Sequence, residues 1–171
     1  PNQTNNERAQ PSVQVAVTDT TPNATITNYA ATGLPAGLTI NATTGLISGT
    51  VNAGDSSAGQ GGVYSVTVTA TDSNQASASN TFSWTITNPV SITAIPNQTN
   101  TEGVAIAAVT VTATDANAGA TFTYGASGLP AGLTINAGTG VMSGMPAYGD
   151  NSNSPYNVTI TVTDSNGSAN K

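Results

Sequence analysis

The residues able to do chemistry in this chain are few, and they recur. Its 171 residues include no histidine, no cysteine and only two cations, Arg8 and Lys171. The eight acids are Glu7, Asp19, Asp55, Asp72, Glu102, Asp115, Asp150 and Asp164. They form four matched pairs between the two halves: Glu7 with Glu102, Asp19 with Asp115, Asp55 with Asp150, Asp72 with Asp164. Solubility alone does not require that register. Carboxylates gathered without Lys or Arg repel one another unless a cation joins them. A hard cation such as calcium takes about six to eight oxygens at roughly 2.3–2.6 Å. All eight acids are therefore candidate metal ligands, with the amides of Asn88 and Asn117 as further oxygens. The competing reading is that they cap turns through Asx hydrogen bonds, as in the TDSN stretches at Asp72 and Asp164.

Other chemistry has little to work with. The commonest general base and the thiol nucleophile are missing, so no catalytic role is expected. The formal net charge is −6 and only 6% of residues are charged, a poor footprint for nucleic acid. No stretch is long and apolar enough to predict a membrane span. The one lysine is terminal, which rules out an internal lysine–asparagine crosslink in this span. Asn-x-Ser/Thr sequons at Asn2, Asn23, Asn41, Asn97, Asn157 and Asn166 follow from an Asn- and Thr-rich composition. The chain begins with Pro and shows no signal peptide, so it reads as an excerpt from, or a processed form of, something longer.

The elements that must position the acids are strands. Tyr64 to Thr71 and Asn157 to Thr163 alternate apolar and hydroxyl residues, the period of a half-buried strand. Val13, Val15 and Val17 alternate likewise, as do Val109, Val111 and Ala113, while Phe82, Trp84 and Ile86 share one face. Tyr29, Tyr124, Tyr64 and Tyr156 fall in such alternating stretches and read as core; Tyr148 alone sits in a loop. No helical periodicity competes. The stretch TGLPAGLTINATTGLISGT from Thr32 returns as SGLPAGLTINAGTGVMSGM from Ser127, so Gly33 and Gly45 recur as Gly128 and Gly140. Each copy reads as strand, tight turn, strand, with glycine in the positive-φ places. Short strands with turn signals between them, about seven per half, predict an antiparallel β-sandwich in each.

These corners, each followed by a VTVTATDSN or VTITVTDSN strand, resemble the bacterial immunoglobulin-like repeat related to the cadherin-like domain of dystroglycan. The resemblance implies an all-β chain of two tandem seven-stranded immunoglobulin/cadherin-like sandwiches, residues 1–89 and 90–171, with outer strands incomplete. It implies a structural or adhesive repeat of a secreted or cell-surface bacterial protein: a stalk, adhesin or extracellular filament. Some such repeats bind calcium, and some accompany polysaccharide-degrading enzymes. Consecutive strands of such a sandwich run to opposite poles. Asp115 and Asp164 are then expected at one pole of the second repeat, and Glu102 and Asp150 at the other. By likeness to cadherins, Glu7 and Asp55 would approach Asp115 and Asp164 where the repeats join. The linker TNPVSITAI lacks the acidic run of true cadherins, so one weaker calcium ion is the expectation.

Repeat two has a lead-in, Val90 to Ile95, that repeat one lacks; repeat one ends in TFSWTITNP, and repeat two stops before any such strand. Either neighbouring sequence lies outside the excerpt, or another chain supplies a strand to an open edge. The expected partners are neighbouring repeats or copies of the same chain. The alternative function is a calcium-dependent polysaccharide-binding module, for which Tyr148 is the one loop aromatic.

Overall fold

Alternation of Val, Ile and Ala with Thr and Ser makes strands nearly the only regular elements among the described residues. The computed structural model describes residues 1–58 and 60–165, with the backbone of 169–170; Asn166 and Lys171 lie outside the described residues. The only helical element among them is a single 3-10 turn, Asp150–Asn153. The chain divides into two compact units, Pro1–Asn88 and Pro89–Lys171.

The first unit has seven strands: β1 (Gln3–Asn6), β2 (Ser12–Gln14), β3 (Ile26–Thr32), β4 (Leu38–Ile40), β5 (Leu46–Gly49), β6 (Val63–Asp72) and β7 (Ser77–Thr87). They form a four-stranded sheet in the order β1-β7-β6-β3 and a three-stranded sheet β2-β5-β4. The core holds Leu38, Ile47, Val51, Val66, Val68, Trp84 and Ile86, with Phe82 and Tyr64 packed against it. On the outer face Thr67 bonds Thr81 at 2.9 Å, Thr69 bonds Ser79 at 2.8 Å and Thr71 bonds Ser77 at 2.9 Å. Cross-strand hydroxyl pairs thus do what ion pairs do on more highly charged sheets. One pairing departs from the antiparallel expectation: β1 runs parallel to β7, with Gln3 opposite Trp84 and Asn6 opposite Thr87. Alternation sets the face a side chain takes but carries no information on strand direction.

The second unit has β8 (Val90–Ile92), β9 (Val109–Thr110), β10 (Ala113–Asp115), β11 (Phe122–Ser127), β12 (Leu133–Ile135), β13 (Val141–Gly144), β14 (Thr159–Asp164) and β15 (Ala169–Asn170). Its sheets are β11-β14-β15, β12-β13-β9 and the pair β10-β8. The buried core is Val90, Val111, Met142 and Val162. The single strand expected through Val109, Val111 and Ala113 is broken in two. The Val111 N–H donates to Gly140 at 2.9 Å, on the β13 side, whereas the Thr112 carbonyl accepts from Thr93 at 2.9 Å, beyond β8. Adjacent residues serve different sheets, so the strand changes layer there. Tyr156 also departs from expectation, standing just before β14 instead of in a strand.

The repeated corner has a plain physical cause. Asn41 Oδ1 accepts the N–H groups of Thr43 and Thr44 at 2.9 Å each, and Asn136 Oδ1 those of Gly138 and Thr139 at 2.9 and 3.0 Å. The turn then needs positive φ at Gly45 (70°) and Gly140 (69°). A Cβ there would stand 2.8 Å from the Tyr29 ring or 2.9 Å from the Tyr124 ring. Each glycine is the floor on which a tyrosine lies, which is an architectural role.

Candidate functional site

Strand ends and the loops beyond them bring the acids together in twos within each unit. In the first unit Glu7 directly follows β1, and its N–H donates to the Thr87 carbonyl at 3.1 Å, which holds it beside the end of β7. Its Oε1 accepts the Ser56 N–H at 3.0 Å. Asp55 lies in the same loop as Ser56, between β5 and β6, and its main-chain carbonyl accepts the Tyr64 hydroxyl at 3.0 Å. Glu7 is 1% exposed and Asp55 6%. Asp55 Oδ2 is buried and has no hydrogen-bond partner. Two buried acids and a phenol share this place, and Tyr64 feels it. Burial, then the charge and hydrogen bonding of Asp55, then the charge of Glu7, push its hydroxyl from 10.0 up to about 12.

The second unit repeats the arrangement with Glu102, Asp150 and Tyr156. The Asn151 N–H donates to Glu102 Oε1. Asp150 Oδ2 accepts the Ala147 N–H at 3.0 Å. The Tyr156 hydroxyl lies 3.1 Å from the Asp150 carbonyl oxygen and 3.2 Å from its Oδ1. Burial first, and then the Asp150 charge, raise the Tyr156 hydroxyl above its ordinary value. Sequence reasoning missed both tyrosines as members of these sites. Their alternating context marks which face they take, and nothing in it marks where the hydroxyl goes.

The other two pairs stand at strand ends. Asp72 closes β6, is 5% exposed, and accepts the N–H groups of Asn74 and Ala76 through Oδ1 at 2.9 and 2.8 Å. Asp19 accepts the Thr21 N–H at 2.8 Å, and its Oδ2 is buried without a hydrogen-bond partner. Both acids line one hollow of about 170 Å³. In the second unit Asp115 closes β10 and Asp164, 5% exposed, closes β14. Asp115 Oδ1 accepts the Asn117 N–H at 2.6 Å. Burial is the largest influence on the Asp115 carboxyl and raises it above its ordinary 3.8. The neighbouring Asp164 raises it further, against the lowering by the Asn117 N–H. Two neighbouring carboxylates repel one another, so the pair is strained when both are ionised.

Both readings of the acids thus find support in the same residues. Each of Asp19, Asp72 and Asp115 caps a turn with one oxygen. The second oxygens of Asp19 and Asp55 are left for another partner. No group of three or more His, Cys, Asp or Glu gathers among the described residues. Among the aromatics, Phe82 packs on Trp84 with centroids 6.1 Å apart, and Phe122 on Tyr124 at 6.2 Å. Tyr148 is 85% exposed and lies against Gly103; Val104 and Met145 are exposed as well.

Among solved structures the chain is similar to Drosophila N-cadherin EC1-4, at 17% identity and a TM-score of 0.45, covering 99% of this chain and 45% of that one. It is similar to mouse cadherin-23 EC22-24 at 20% identity and a TM-score of 0.40, covering 99% and 60%. The chain therefore spans about half the length of these cadherin structures. No match among curated proteins is found. The family model described as "Putative Ig domain" matches twice, over residues 1–87 and 88–171, and the chain belongs to that family in two copies.

Proposed function

We propose that the chain is a load-bearing segment of a stalk, adhesin or extracellular filament in a secreted or cell-surface bacterial protein. The observation that carries this reading is the parallel pairing of the first and last strands of unit 1. Gln3, Thr4, Asn5 and Asn6 stand opposite Trp84, Thr85, Ile86 and Thr87. Side chains tie the same two strands: Trp84 Nε1 donates to Asn5 Oδ1 at 2.9 Å, the Ser83 N–H to Asn2 Oδ1 at 3.1 Å, and the Thr87 hydroxyl to Asn6 Oδ1 at 2.6 Å. Tension entering at Gln3 and leaving at Thr87 pulls two parallel neighbours in opposite directions. The ladder is then sheared, and its bonds are loaded together instead of one by one. Its partners in this role are neighbouring repeats or copies of the same chain. Pulling the chain by its ends tests the reading. Unit 1 should give one force peak with a length gain of about 300 Å, from 88 residues at roughly 3.5 Å each. Asn5→Ala should lower that peak; extension without a peak overturns the reading.

A second reading, a calcium dependence of this stalk, is supported by the unfilled oxygens of Asp19 and Asp55. The donor set fits a hard cation, being all oxygen with two carboxylates per site. Glu7 with Asp55, Asp19 with Asp72, Glu102 with Asp150 and Asp115 with Asp164 would hold it. When bound, the ion would neutralise the pair's charge. Two carboxylates supply at most four oxygens, so water and main-chain carbonyls must complete the shell and the affinity is weak. The alternative, a calcium-dependent polysaccharide-binding module, draws on Tyr148, whose exposed ring offers one stacking face. Glycan-array binding that is lost in Tyr148→Ala would favour it over the stalk.

A further inference from the structure

One pole is finished with different chemistry in the two units. Arg8 and Gly103 hold equivalent places, both at positive φ, 64° and 68°. The Arg8 N–H donates to the Val51 carbonyl at 2.9 Å, and the Gly103 N–H to the Pro146 carbonyl at 2.9 Å. Ala53 and Tyr148 are also equivalent, each standing two residues before the loop acid, Asp55 or Asp150. Unit 1 thus has a guanidinium next in the chain to Glu7 and a methyl group in the loop. Unit 2 has no side chain in the first place and a phenol ring in the second, with both acids kept. Its only cation is Lys171, which lies outside the described residues.

The ring is held out to solvent. Tyr148 is 85% exposed, and its hydroxyl end lies over Gly103, where a Cβ would stand 2.5 Å from Cζ and Oη. Two carboxylates reach the same loop. Glu102 Oε1 accepts the Asn151 N–H, and Asp150 Oδ2 accepts the Ala147 N–H at 3.0 Å. Burial, then the charges of Asp150 and Glu102, raise the Tyr156 hydroxyl, so both acids act on one place. We propose that this loop binds an amine-bearing sugar polymer, with one hexosamine ring on Tyr148 and its ammonium beside Glu102 and Asp150. The proposal rests on the polysaccharide reading above, and puts the ammonium where that reading puts a metal ion. Charge decides the class. A net charge of −6 repels uronic acids and phosphate-bearing polymers, and the described residues of unit 2 hold no arginine or lysine to receive them. The negative face of an aromatic ring attracts a cation, and the two carboxylates add to that field. A sugar suits the place better than a lysine-rich peptide. On so open a ring a long side chain would gain one contact and give up its rotamer freedom. A pyranose carries its amine on a rigid ring and gives up almost none.

The test titrates the full chain, in chelator and mild acid, with the glucosamine hexamer, the neutral N-acetylglucosamine hexamer and hexalysine. Proton NMR follows the Tyr148 ring. The glucosamine hexamer should bind with a dissociation constant on the order of millimolar, because exposed ion pairs contribute little. The neutral hexamer should bind about tenfold more weakly, and Tyr148→Ala should cost glucosamine binding about tenfold. Glu102→Gln, which keeps an acceptor for Asn151, should cost about threefold. Equal binding of both sugars, with Glu102→Gln without effect, would overturn the proposal and leave the polysaccharide reading standing. Binding of neither sugar would overturn both. Binding that survives Tyr148→Ala, that requires calcium, or that hexalysine matches would also overturn the proposal.

Discussion

Tyr64 donates its hydroxyl to the main-chain carbonyl of Asp55 at 3.0 Å, in a loop that also holds the buried Glu7. The phenol therefore keeps its proton well beyond its ordinary range, to about 12. A raised folded value means that the associated stability is complete below about pH 10 and is lost as pH rises through about 12. An alkaline absorbance titration of the five tyrosines should show Tyr64 and Tyr156 titrating above the ordinary range, and Tyr64→Phe should remove the step near 12. The same substitution should cost roughly 1 kcal/mol at neutral pH, measured by denaturant unfolding.

Asp115 and Asp164 give the opposite end of the pH scale its prediction. The Asp115 carboxyl is raised above 3.8, chiefly by burial. The folded unit therefore holds this proton more tightly than the unfolded chain does, and its stabilising contribution is lost as pH rises through the folded value. The melting midpoint of unit 2 should be higher in mild acid than at pH 7 when no divalent cation is present. Asp115→Asn should flatten that dependence and raise the midpoint at pH 7. A midpoint that falls with mild acid in the parent chain would count against strain in this pair.

Calcium bears on the same pair. Melting with excess calcium and with chelator should differ, since a ligand that binds only the folded form raises stability with its concentration. About 3 kcal/mol is expected at a hundredfold excess over the dissociation constant. The difference should shrink in Asp115→Asn. Identical melts in both conditions would remove calcium from the account.

The glycine floors carry a prediction of their own. Gly45→Ala and Gly140→Ala each place a Cβ within 2.9 Å of a tyrosine ring and force a positive φ on alanine. Each should cost about 1–3 kcal/mol in chemical unfolding. In contrast, Val158→Ala should lie within about 0.5 kcal/mol of the parent, while Val66→Ala should cost about 1–3 kcal/mol.

Much of this was legible in the sequence, and what was not has identifiable causes. The recurring glycine corners set out the two-fold repeat and the strand-turn-strand at Leu38–Gly49. Strand alternation put Asp115 with Asp164 and Glu102 with Asp150, because consecutive strands run to opposite poles. The tyrosine hydroxyls did not stand out, since Tyr64 and Tyr156 carry the same pattern as core residues. The layer change at Val111 was hidden because a buried valine fits either sheet. The parallel pairing of β1 with β7 was invisible for a deeper reason: Gln-Thr-Asn-Asn has no apolar alternation, and its place is set by the long-range bonds of Asn2, Asn5 and Asn6. The exposure of Val158 depends on a neighbouring strand, which local periodicity does not register.

The direction of pulling on unit 1 tests the load-bearing claim most directly. Tethers at Gln3 and Thr87 shear β1 against β7, whereas tethers at Gln3 and Ser83, next to the Trp84 that stands opposite Gln3, separate the same strands from one end, bond by bond. The account predicts a clearly higher unfolding force for the first geometry at equal loading rate, with the difference reduced by Asn5→Ala. Equal forces in the two geometries would contradict it.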